Sequence, residues 1–309
     1  MTFNPAHCRF VPDLEWNRRA MTTPLGPTHG GLVVDRAGHI YCSTDGARPV
    51  IVFTPEGVVV REFGPELAGI HAMTLAEEEG EEFLVCTHLL QHRIVKLTRA
   101  GHGLWSLGAP MESGLYRGPD DFKPTAAVVA PDGSLFVADG YGASVIHQFD
   151  AWRRHVKFFG GADAGPGQLC NCHGLSLDCR GSQPLLLICD RRNRRLVHYD
   201  LDGRFIGVLV EELRRPCSVA FVGEFLAVAE LEGRVTILDR ENRSVAVLGD
   251  NPDQTQWANY DVPPVRWHDG IFNAPHSVCF DAQGNLFVSE WNSTGRLTML
   301  MKINLLPKP

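Results

Sequence analysis

Short apolar runs alternate with turn-like polar segments from near residue 30 to the end of the chain. Dipeptides typical of hairpin turns separate some of these runs, as at Asp132-Gly133, Asp202-Gly203 and Gln283-Gly284. The runs group into six similar units of roughly 40 residues, with four runs in a complete unit, and a long uniform helical period is absent. The pattern therefore predicts an all-β fold, a six-bladed β-propeller with four-stranded antiparallel blades.

The sixth unit is shorter than the others, because its apolar runs end after a third strand near Ile303. The segment from His7 to Val11 at the other end of the chain can supply the missing outer strand. Such closure would tie the two chain ends together and remove an open sheet edge. We therefore predict one propeller domain over residues 1–309, with an N-terminal strand closing the last blade.

One position recurs at the start of the first apolar run of each unit, and four of its six copies hold histidine. The copies are Thr28-His29, Ile70-His71, Pro124-Thr125, Cys172-His173, Pro216-Cys217 and Pro275-His276. A second position closes the next run with an acidic residue or a histidine, at Asp45, His88, Asp139, Asp190, Glu230 and Glu290. A repeat can gather the first set into one ring around a pocket, and three neutral imidazoles suit zinc with a fourth position open. We expect the second ring to be structural, bonding backbone between blades.

Two insertions interrupt the repeat, at residues 109–122 and 250–274. Loops of this length within a compact domain are usually functional. Each insertion leads directly into a ring residue, so we expect both on the face that carries the ring.

The composition is that of an ordinary globular protein, with 44% hydrophobic and 21% charged residues. The net charge of -7 gives no reason to expect a nucleic-acid partner. The N-terminal sequence lacks a signal-peptide pattern, and no apolar stretch is long enough to predict a membrane span. Nine cysteines, scattered through apolar runs, are more typical of free thiols in a reducing compartment than of a disulfide framework, which favours a cytoplasmic location.

Several motifs on these units resemble those of a known enzyme family. They are Phe122-Lys123-Pro124-Thr125 followed by Val137-Ala138-Asp139-Gly140-Tyr141, Cys172-His173-Gly174-Leu175 followed by Cys189-Asp190-Arg191-Arg192-Asn193, Ala274-Pro275-His276-Ser277, and, more loosely, Ile70-His71-Ala72-Met73. The chain resembles the NHL-repeat propellers and, among them, the peptidyl-α-hydroxyglycine α-amidating lyases and their bacterial relatives. The resemblance covers blades two to four and six, about two thirds of the chain.

The resemblance implies Zn²⁺, or another divalent transition metal, on His71, His173 and His276. It also implies a general acid/base role for Tyr141 and a substrate-binding role for Arg191. We expect the pocket to be lined by six further residues: His29, Lys123, Thr125, Cys217, Glu290 and Trp291. A structural Ca²⁺ stays open as a second ion.

Two positions depart from the family pattern. Ser277 follows the third histidine, where the lyases have aspartate, and His29 occupies the region of a first-blade arginine. The metal site is therefore better supported than the particular reaction.

Three functions remain open at this stage. The leading one is a metal-dependent lyase that acts on a small carbinol or hemiaminal. The second is a lactonase-like hydrolase, whose divalent ion would need carboxylate and Asn ligands that the His-rich ring lacks. The third is a non-catalytic NHL-repeat scaffold, since a fold does not decide function. The structural alternatives stay open too: the histidines as satisfied strand-end residues, Tyr141 as a packed loop aromatic, and Arg191 as the ion-pair partner of Asp190. The oligomeric state is open.

Overall fold

The computed structural model describes residues 8–161 and 165–304. Within these residues the chain forms 24 β-strands in six four-stranded antiparallel sheets, together with one α-helix and several short 3-10 turns. The six sheets are the blades of a six-bladed β-propeller. This confirms the fold class predicted from the repeat.

The chain divides into two compact units, and each contains three blades. The terminal unit comprises Met1–Pro65 and Cys217–Pro309, and the central unit comprises Glu66–Pro216. That residues 1–309 behave as a single domain stays a prediction.

The terminal unit contains blades 1, 5 and 6. Blade 1 consists of β2 (Thr28–Val34), β3 (Ile40–Thr44), β4 (Val50–Phe53) and β5 (Val59–Glu62). Blade 5 consists of β18 (Pro216–Val222), β19 (Phe225–Glu230), β20 (Arg234–Leu238) and β21 (Ser244–Leu248). Blade 6 consists of β22 (Pro275–Phe280), β23 (Leu286–Glu290), β24 (Arg296–Asn304) and β1 (Cys8–Pro12).

The central unit contains blades 2, 3 and 4, which follow one another along the chain. Blade 2 consists of β6 (Ile70–Glu78), β7 (Glu81–His88), β8 (Arg93–Thr98) and β9 (Gly103–Leu107). Blade 3 consists of β10 (Ala126–Val129), β11 (Leu135–Ala138), β12 (Ile146–Phe149) and β13 (His155–Phe159). Blade 4 consists of β14 (Cys172–Asp178), β15 (Leu185–Asp190), β16 (Arg195–Tyr199) and β17 (Phe205–Val210).

Blade 6 is completed by the N-terminal strand, as predicted. Strand β1 pairs antiparallel with β24, from Cys8 opposite Asn304 to Pro12 opposite Leu300. His7, which the prediction included, lies outside the described residues. The helix α1 (Leu14–Ala20) follows at once, with the Asp13 side chain accepting from the Trp16 backbone N–H at its start. The Trp16 ring then packs edge-on against Phe287 of blade 6 and fastens the helix to that sheet.

Each unit has its own apolar core between neighbouring blades. In the central unit, Phe136 of blade 3 and Ile188 of blade 4 are fully buried in one cluster. In the terminal unit, Ala227 of blade 5 and Val288 of blade 6 share another. Successive side chains of a strand point to opposite faces of its sheet, so the central strands β4 and β11, which are buried on both faces, are apolar throughout.

Both insertions are packed against their own units. In the first, Tyr116 and Phe122 join the apolar core of blade 3. In the second, the Trp267 ring stacks on the Arg296 guanidinium, whose nitrogens also donate to two backbone carbonyls of the insertion. All nine cysteines fall in the described residues and are free thiols. Among the described helices, none combines the length and the apolar character that crossing a membrane requires.

Candidate functional site

The four ring histidines all sit at irregularities in the innermost strand of their blades. The strand register shifts between Ile70 and Ala72 around His71, and between Pro275 and Ser277 around His276. Corresponding shifts enclose the other two histidines, His29 in β2 and His173 in β14. A β-bulge leaves a residue out of the ladder and re-aims its side chain. The bulge is therefore the local device by which each of these blades presents an imidazole at its inner end.

Carboxylates of the second ring hold the segments that lead into the inner strands. Asp190 accepts from the Cys170 backbone N–H (2.8 Å), and Asp139 accepts from the Lys123 backbone N–H (2.7 Å). Glu290 accepts from two consecutive backbone N–H groups, the first of them that of Asn273 (2.5 Å). These three carboxylates thus have structural roles, as expected. These hydrogen bonds lie within one blade, whereas we had expected bonds between blades. In each case the loop that leads into the first strand of a blade packs against the end of the second strand of the same blade.

Glu290 has no exposed surface to offer a substrate. Its side chain is 1% exposed and pairs with Arg296 (2.9 Å) in addition to its backbone bonds. These contacts favour a structural role for Glu290, and its substrate-binding role stays a prediction.

His71 in the central unit has a defined hydrogen-bonding partner. Its Nδ1 lies 2.7 Å from the Thr125 carbonyl oxygen. A carbonyl can only accept, so Nδ1 carries the proton and the Nε2 of the neutral ring carries the lone pair. This backbone acceptor fixes the tautomer that a metal ligand needs. The ring centroid of His173 lies 4.9 Å away, so the central unit brings two of the predicted ligands together.

Tyr141 lies beside both of these imidazoles, with ring centroids 5.3 Å from His71 and 5.4 Å from His173. Its hydroxyl oxygen is 3.0 Å from His173 Nε2 and accepts from Arg191 Nη1 at 3.3 Å. The preceding Gly140 is required sterically, because an added Cβ would overlap the Cys172 carbonyl oxygen. The four side chains singled out in blades 2 to 4 therefore form one cluster.

Arg191 is held in place from two sides. Its guanidinium lies over the Tyr141 ring, 5.2 Å from the centroid, and its Nε donates to Asn171 Oδ1 at 2.5 Å. The neighbouring Asp190 pairs with Arg195 (2.7 Å). Asn171 is a residue that sequence reasoning missed, and the only sequence signal is its place between Cys170 and Cys172.

Lys123 and Thr125 occupy different surroundings. Lys123 is exposed. Thr125 is fully buried, and its hydroxyl donates to the Cys172 carbonyl oxygen at 2.9 Å. Since Thr125 also supplies the acceptor for His71, the structure favours a supporting role for Thr125 over the predicted contact with substrate.

The terminal unit brings together the remaining predicted residues of the ring. The rings of His29 and His276 lie 4.9 Å apart, and His29 Nδ1 lies 3.3 Å from Asp45 Oδ2. A ring nitrogen of His276 lies within 4.8 Å of a ring nitrogen of His29. A ring nitrogen of His276 also lies within 4.8 Å of Cys217 Sγ. The described residues therefore include histidine and cysteine donors close enough to share a metal ion.

Trp291 forms an aromatic wall next to these donors. Its ring centroid lies 6.5 Å from that of His29 and 4.9 Å from that of Tyr260, which belongs to the second insertion. This contact brings the second insertion to the ring end of blade 6.

A chain of four polar side chains runs through blade 3 beneath the Tyr141 loop. Tyr116 donates to Asp139 Oδ2 (2.8 Å) and lies 2.6 Å from His147 Nε2, while His147 Nδ1 lies 3.1 Å from His155 Nε2. Burial lowers the pKa of His147 to about 3, and burial also raises the pKa of Asp139 and that of Tyr116. His147 lies within strand β12 and is fully buried.

Comparisons with known proteins are consistent with these features. No family model matches the sequence, so the NHL-repeat assignment stays a prediction. The chain is 26% identical over 252 residues to a probable peptidyl-α-hydroxyglycine α-amidating lyase of Caenorhabditis elegans, an alignment that covers 79% of this chain and 67% of that protein. It is 27% identical over 219 residues to the peptidyl-glycine α-amidating monooxygenase of Mus musculus, covering 66% of this chain and 21% of that protein. The chain thus spans about a fifth of the mouse relative.

Solved structures share the fold across almost the whole chain. A protein proposed to be a gluconolactonase superposes with a TM-score of 0.64 at 16% identity, covering 97% of this chain and 94% of the other. A streptogramin B lyase superposes with a TM-score of 0.61 at 12% identity, covering 96% and 98%. At these identities the likeness concerns the fold alone. The chain is therefore a six-bladed β-propeller that is similar in sequence to peptidyl-α-hydroxyglycine α-amidating lyases.

Proposed function

We propose that this protein is a metal-dependent lyase that cleaves a small carbinol of the hemiaminal type. His71, His173 and His276 would hold the metal, Tyr141 would transfer the proton, and Arg191 would bind substrate or stabilise charge. The observation that carries the proposal is the placement of the Tyr141 hydroxyl, 3.0 Å from an imidazole nitrogen of His173 and 3.3 Å from the Arg191 guanidinium. A packed loop aromatic would not need both of these polar neighbours.

The donor chemistry of the ring fits a divalent transition metal such as Zn²⁺. Imidazole nitrogens suit zinc. Because His71 Nδ1–H donates to the Thr125 carbonyl, the lone pair of the neutral ring is on Nε2, which can donate it to a metal. Since equivalent positions of a propeller repeat lie at equivalent places in their blades, His276 is the donor we expect from blade 6. The metal would act as a Lewis acid toward the substrate oxygen. His29, Lys123, Cys217 and Trp291 remain proposed pocket residues.

The sequence similarity suggests an N-acyl-α-hydroxyglycine as the substrate to test. Removing the hydroxyl proton lets the C–O bond become a carbonyl while the C–N bond breaks. The products are then a primary amide and glyoxylate, with the nitrogen receiving the proton that the oxygen lost. Tyr141 could take this proton and return it to the leaving nitrogen. Arg191 Nη1 already faces the phenolic oxygen, so it would stabilise the negative charge that the deprotonated oxygen carries.

The carboxylates near the ring support a lyase over a lactonase-like hydrolase. A hard divalent ion of the lactonase type would need carboxylate ligands. Asp139, Asp190 and Glu290 are instead engaged by backbone N–H groups of their own blades. A non-catalytic scaffold would not require the cluster around Tyr141. We also propose a cytoplasmic location, since all nine cysteines are free thiols.

The test combines metal analysis with an assay on N-benzoyl-α-hydroxyglycine, following benzamide and glyoxylate. The purified protein should contain about one transition-metal ion, and His173→Ala should lose it, whereas His102→Ala, at an exposed position, should keep it. Calcium should be measured in the same samples, because a structural Ca²⁺ is also predicted. An intact metal content in His173→Ala would contradict the proposed ligand set.

Variants of the two proposed catalytic residues test the chemistry. Tyr141→Phe should lower turnover by about 10²–10⁴-fold with metal content unchanged. Arg191→Ala should raise KM if the arginine only binds substrate, and lower kcat if it stabilises developing charge. Full activity of Tyr141→Phe would refute the mechanism, and hydrolysis of simple lactones without cleavage of the hemiaminal would favour the second candidate.

A further inference from the structure

We propose that Asn171 is a positioning residue that locks the Arg191 guanidinium against the Tyr141 hydroxyl. The inference deepens the proposed function and rests on it for its catalytic meaning. Asn171 is assigned no contact with the proposed substrate or the proposed metal. It acts through the arginine.

The carboxamide of Asn171 uses both of its ends. Its Oδ1 accepts from Arg191 Nε at 2.5 Å, and its Nδ2 donates to the Gly140 carbonyl oxygen at 2.7 Å. Gly140 directly precedes Tyr141 in the chain. One side chain therefore connects the arginine to the backbone that carries the tyrosine, so the two functional groups cannot shift independently.

The backbone of Asn171 adds two further links. Its N–H donates to Ser144 Oγ (3.1 Å), on the loop after Tyr141, and its carbonyl accepts from the Arg191 N–H (3.3 Å). Its φ of 58° lies in the left-handed region, which Asn adopts more readily than most residues. Because this turn leads directly into Cys172-His173, Asn171 joins the Tyr141 loop, the Arg191 loop and the His173 bulge.

The chemistry of the side chain explains why asparagine stands here. A carboxamide accepts from a guanidinium with its oxygen and donates to a carbonyl with its nitrogen, so the Asn171 side chain can make both bonds at once. Aspartate would keep the first bond and set a carboxylate oxygen against the Gly140 carbonyl. Glycine would keep the left-handed turn and lose both bonds. The residue is 8% exposed, so water could not replace these bonds without local rearrangement.

The hydrogen bond from Arg191 Nε to Asn171 sets the orientation of the whole guanidinium group. The group is planar, so once Nε points at Asn171 the direction of Nη1 toward the Tyr141 oxygen follows. Without that bond the long side chain regains rotational freedom. Loss of such alignment can cost on the order of 10²-fold in rate, although no group that contacts substrate is removed.

The test compares Asn171→Gly with Asn242→Gly. Asn242 also has a left-handed backbone, with φ 61°, and lies in the turn between β20 and β21. Both variants keep a residue that tolerates this conformation, so they differ in the contacts that the side chain makes. Each would be measured with ¹⁵N-arginine-labelled protein, in which Arg191→Lys assigns the Arg191 Nε–H resonance.

We expect Asn171→Gly to accelerate hydrogen exchange at Arg191 Nε by at least about 10-fold, because the protecting bond is lost. It should also lower kcat on N-benzoyl-α-hydroxyglycine by about 10²-fold, with KM and metal content nearly unchanged. Asn242→Gly should change none of these. The exchange measurement requires neither substrate nor metal.

The outcomes separate this inference from the proposed function. Unchanged Nε–H exchange in Asn171→Gly overturns the inference, and so does faster exchange with an unaltered kcat. If the native protein fails to cleave the hemiaminal while Asn171→Gly still releases Arg191, the positioning role stands and the proposed reaction fails.

Discussion

Lowering the pH from 7.5 to 5 should reduce the free energy of unfolding of this protein, because His147 is buried in blade 3 as a neutral ring. The Tyr116 hydroxyl gives its proton to Asp139, so His147 Nε2–H donates to the Tyr116 oxygen. His147 Nδ1 then accepts from His155. Protonating His147 would place a second donor at Nδ1 and a charge among aromatic side chains.

The magnitude follows from the difference in proton affinity between the folded and unfolded chains. Burial lowers the pKa of His147 to about 3, whereas the unfolded chain should show a pKa near the ordinary value of about 6.5. Between these values the unfolded chain binds more protons, so stability is complete above about pH 6.5 and is lost as the pH falls toward 3. The slope in that window is about 1.4 kcal/mol per pH unit, so the change from pH 7.5 to 5 amounts to about 2 kcal/mol.

The assay is urea unfolding at 25 °C, followed by tryptophan fluorescence at several pH values between 5 and 7.5. A chelator is present throughout, so that metal release does not contribute. The variant His147→Gln retains a donor for Tyr116 and cannot be protonated, so its loss of stability on acidification should be smaller by about 2 kcal/mol. The control is His102→Gln, at an exposed position.

The comparison of variants separates the histidine pair from the rest of the chain, since His155 contacts the His147 ring and burial lowers its pKa as well. Burial also lowers the pKa of His88, which adds a loss of the same sign to every protein in the series. The same pH dependence in the wild type and in His147→Gln would refute the reasoning. A His147 ring that titrates near pH 6.5 by NMR in the folded protein would refute it directly.

Three further predictions follow from the packing. Gly140→Ala should lower the free energy of unfolding by about 1–3 kcal/mol and lower turnover, because the added Cβ would overlap the Cys172 carbonyl. The control Gly118→Ala, with no atom within 4 Å of the added Cβ, should match the wild type in thermal melting and in the activity assay. Deleting residues 1–14 should lower the Tm by at least about 5 °C in calorimetry, because it unpairs the outer edge of blade 6. Titration with a thiol reagent should show one fast-reacting cysteine, Cys179, since it is the exposed one of the nine, and fast reaction of any of the seven buried thiols would contradict their burial.

The repeat made the architecture predictable because strand period and turn chemistry are local properties. Asp132-Gly133, Asp202-Gly203 and Gln283-Gly284 each fall between paired strands. The shortened last unit also predicted the closure that β1 provides, since a three-stranded blade would leave an open edge.

The histidines of the ring could be selected from sequence, but the means of presenting them could not. A bulge depends on the partner strand and on the loop that the Glu290 or Asp190 carboxylate restrains. The carboxylates of the second ring, including that of Glu290, which we also predicted to line the pocket, can be selected from the sequence by their repeat position. Their backbone partners become evident only when the entering loop is seen folded over the strand.

Neither Asn171 nor His147 could be identified from the sequence pattern, and the reason is similar for both. Asn171 matters through its contact with Arg191, and His147 matters through its contact with Tyr116. In each pair the two residues lie in different segments of the chain. Neither residue recurs at the equivalent position of the other blades, so the repeat pattern does not identify them. His147 lies in an apolar strand run, and the residues around it do not indicate that its imidazole faces the core.

Blade 3, whose ring position is not a histidine, shows how fold and chemistry are divided in the central unit. Thr125 occupies the ring position of blade 3, and its carbonyl fixes the tautomer of His71 in blade 2. Its hydroxyl donates to the carbonyl of Cys172, the residue that precedes His173 in blade 4. A histidine at this position could add a donor to the ring, but it would remove the hydroxyl that ties the two neighbouring blades to this one. The ring position of blade 3 therefore orients the imidazoles of its neighbours, and substituting Thr125 should disturb the proposed ligands His71 and His173 more than the pocket wall.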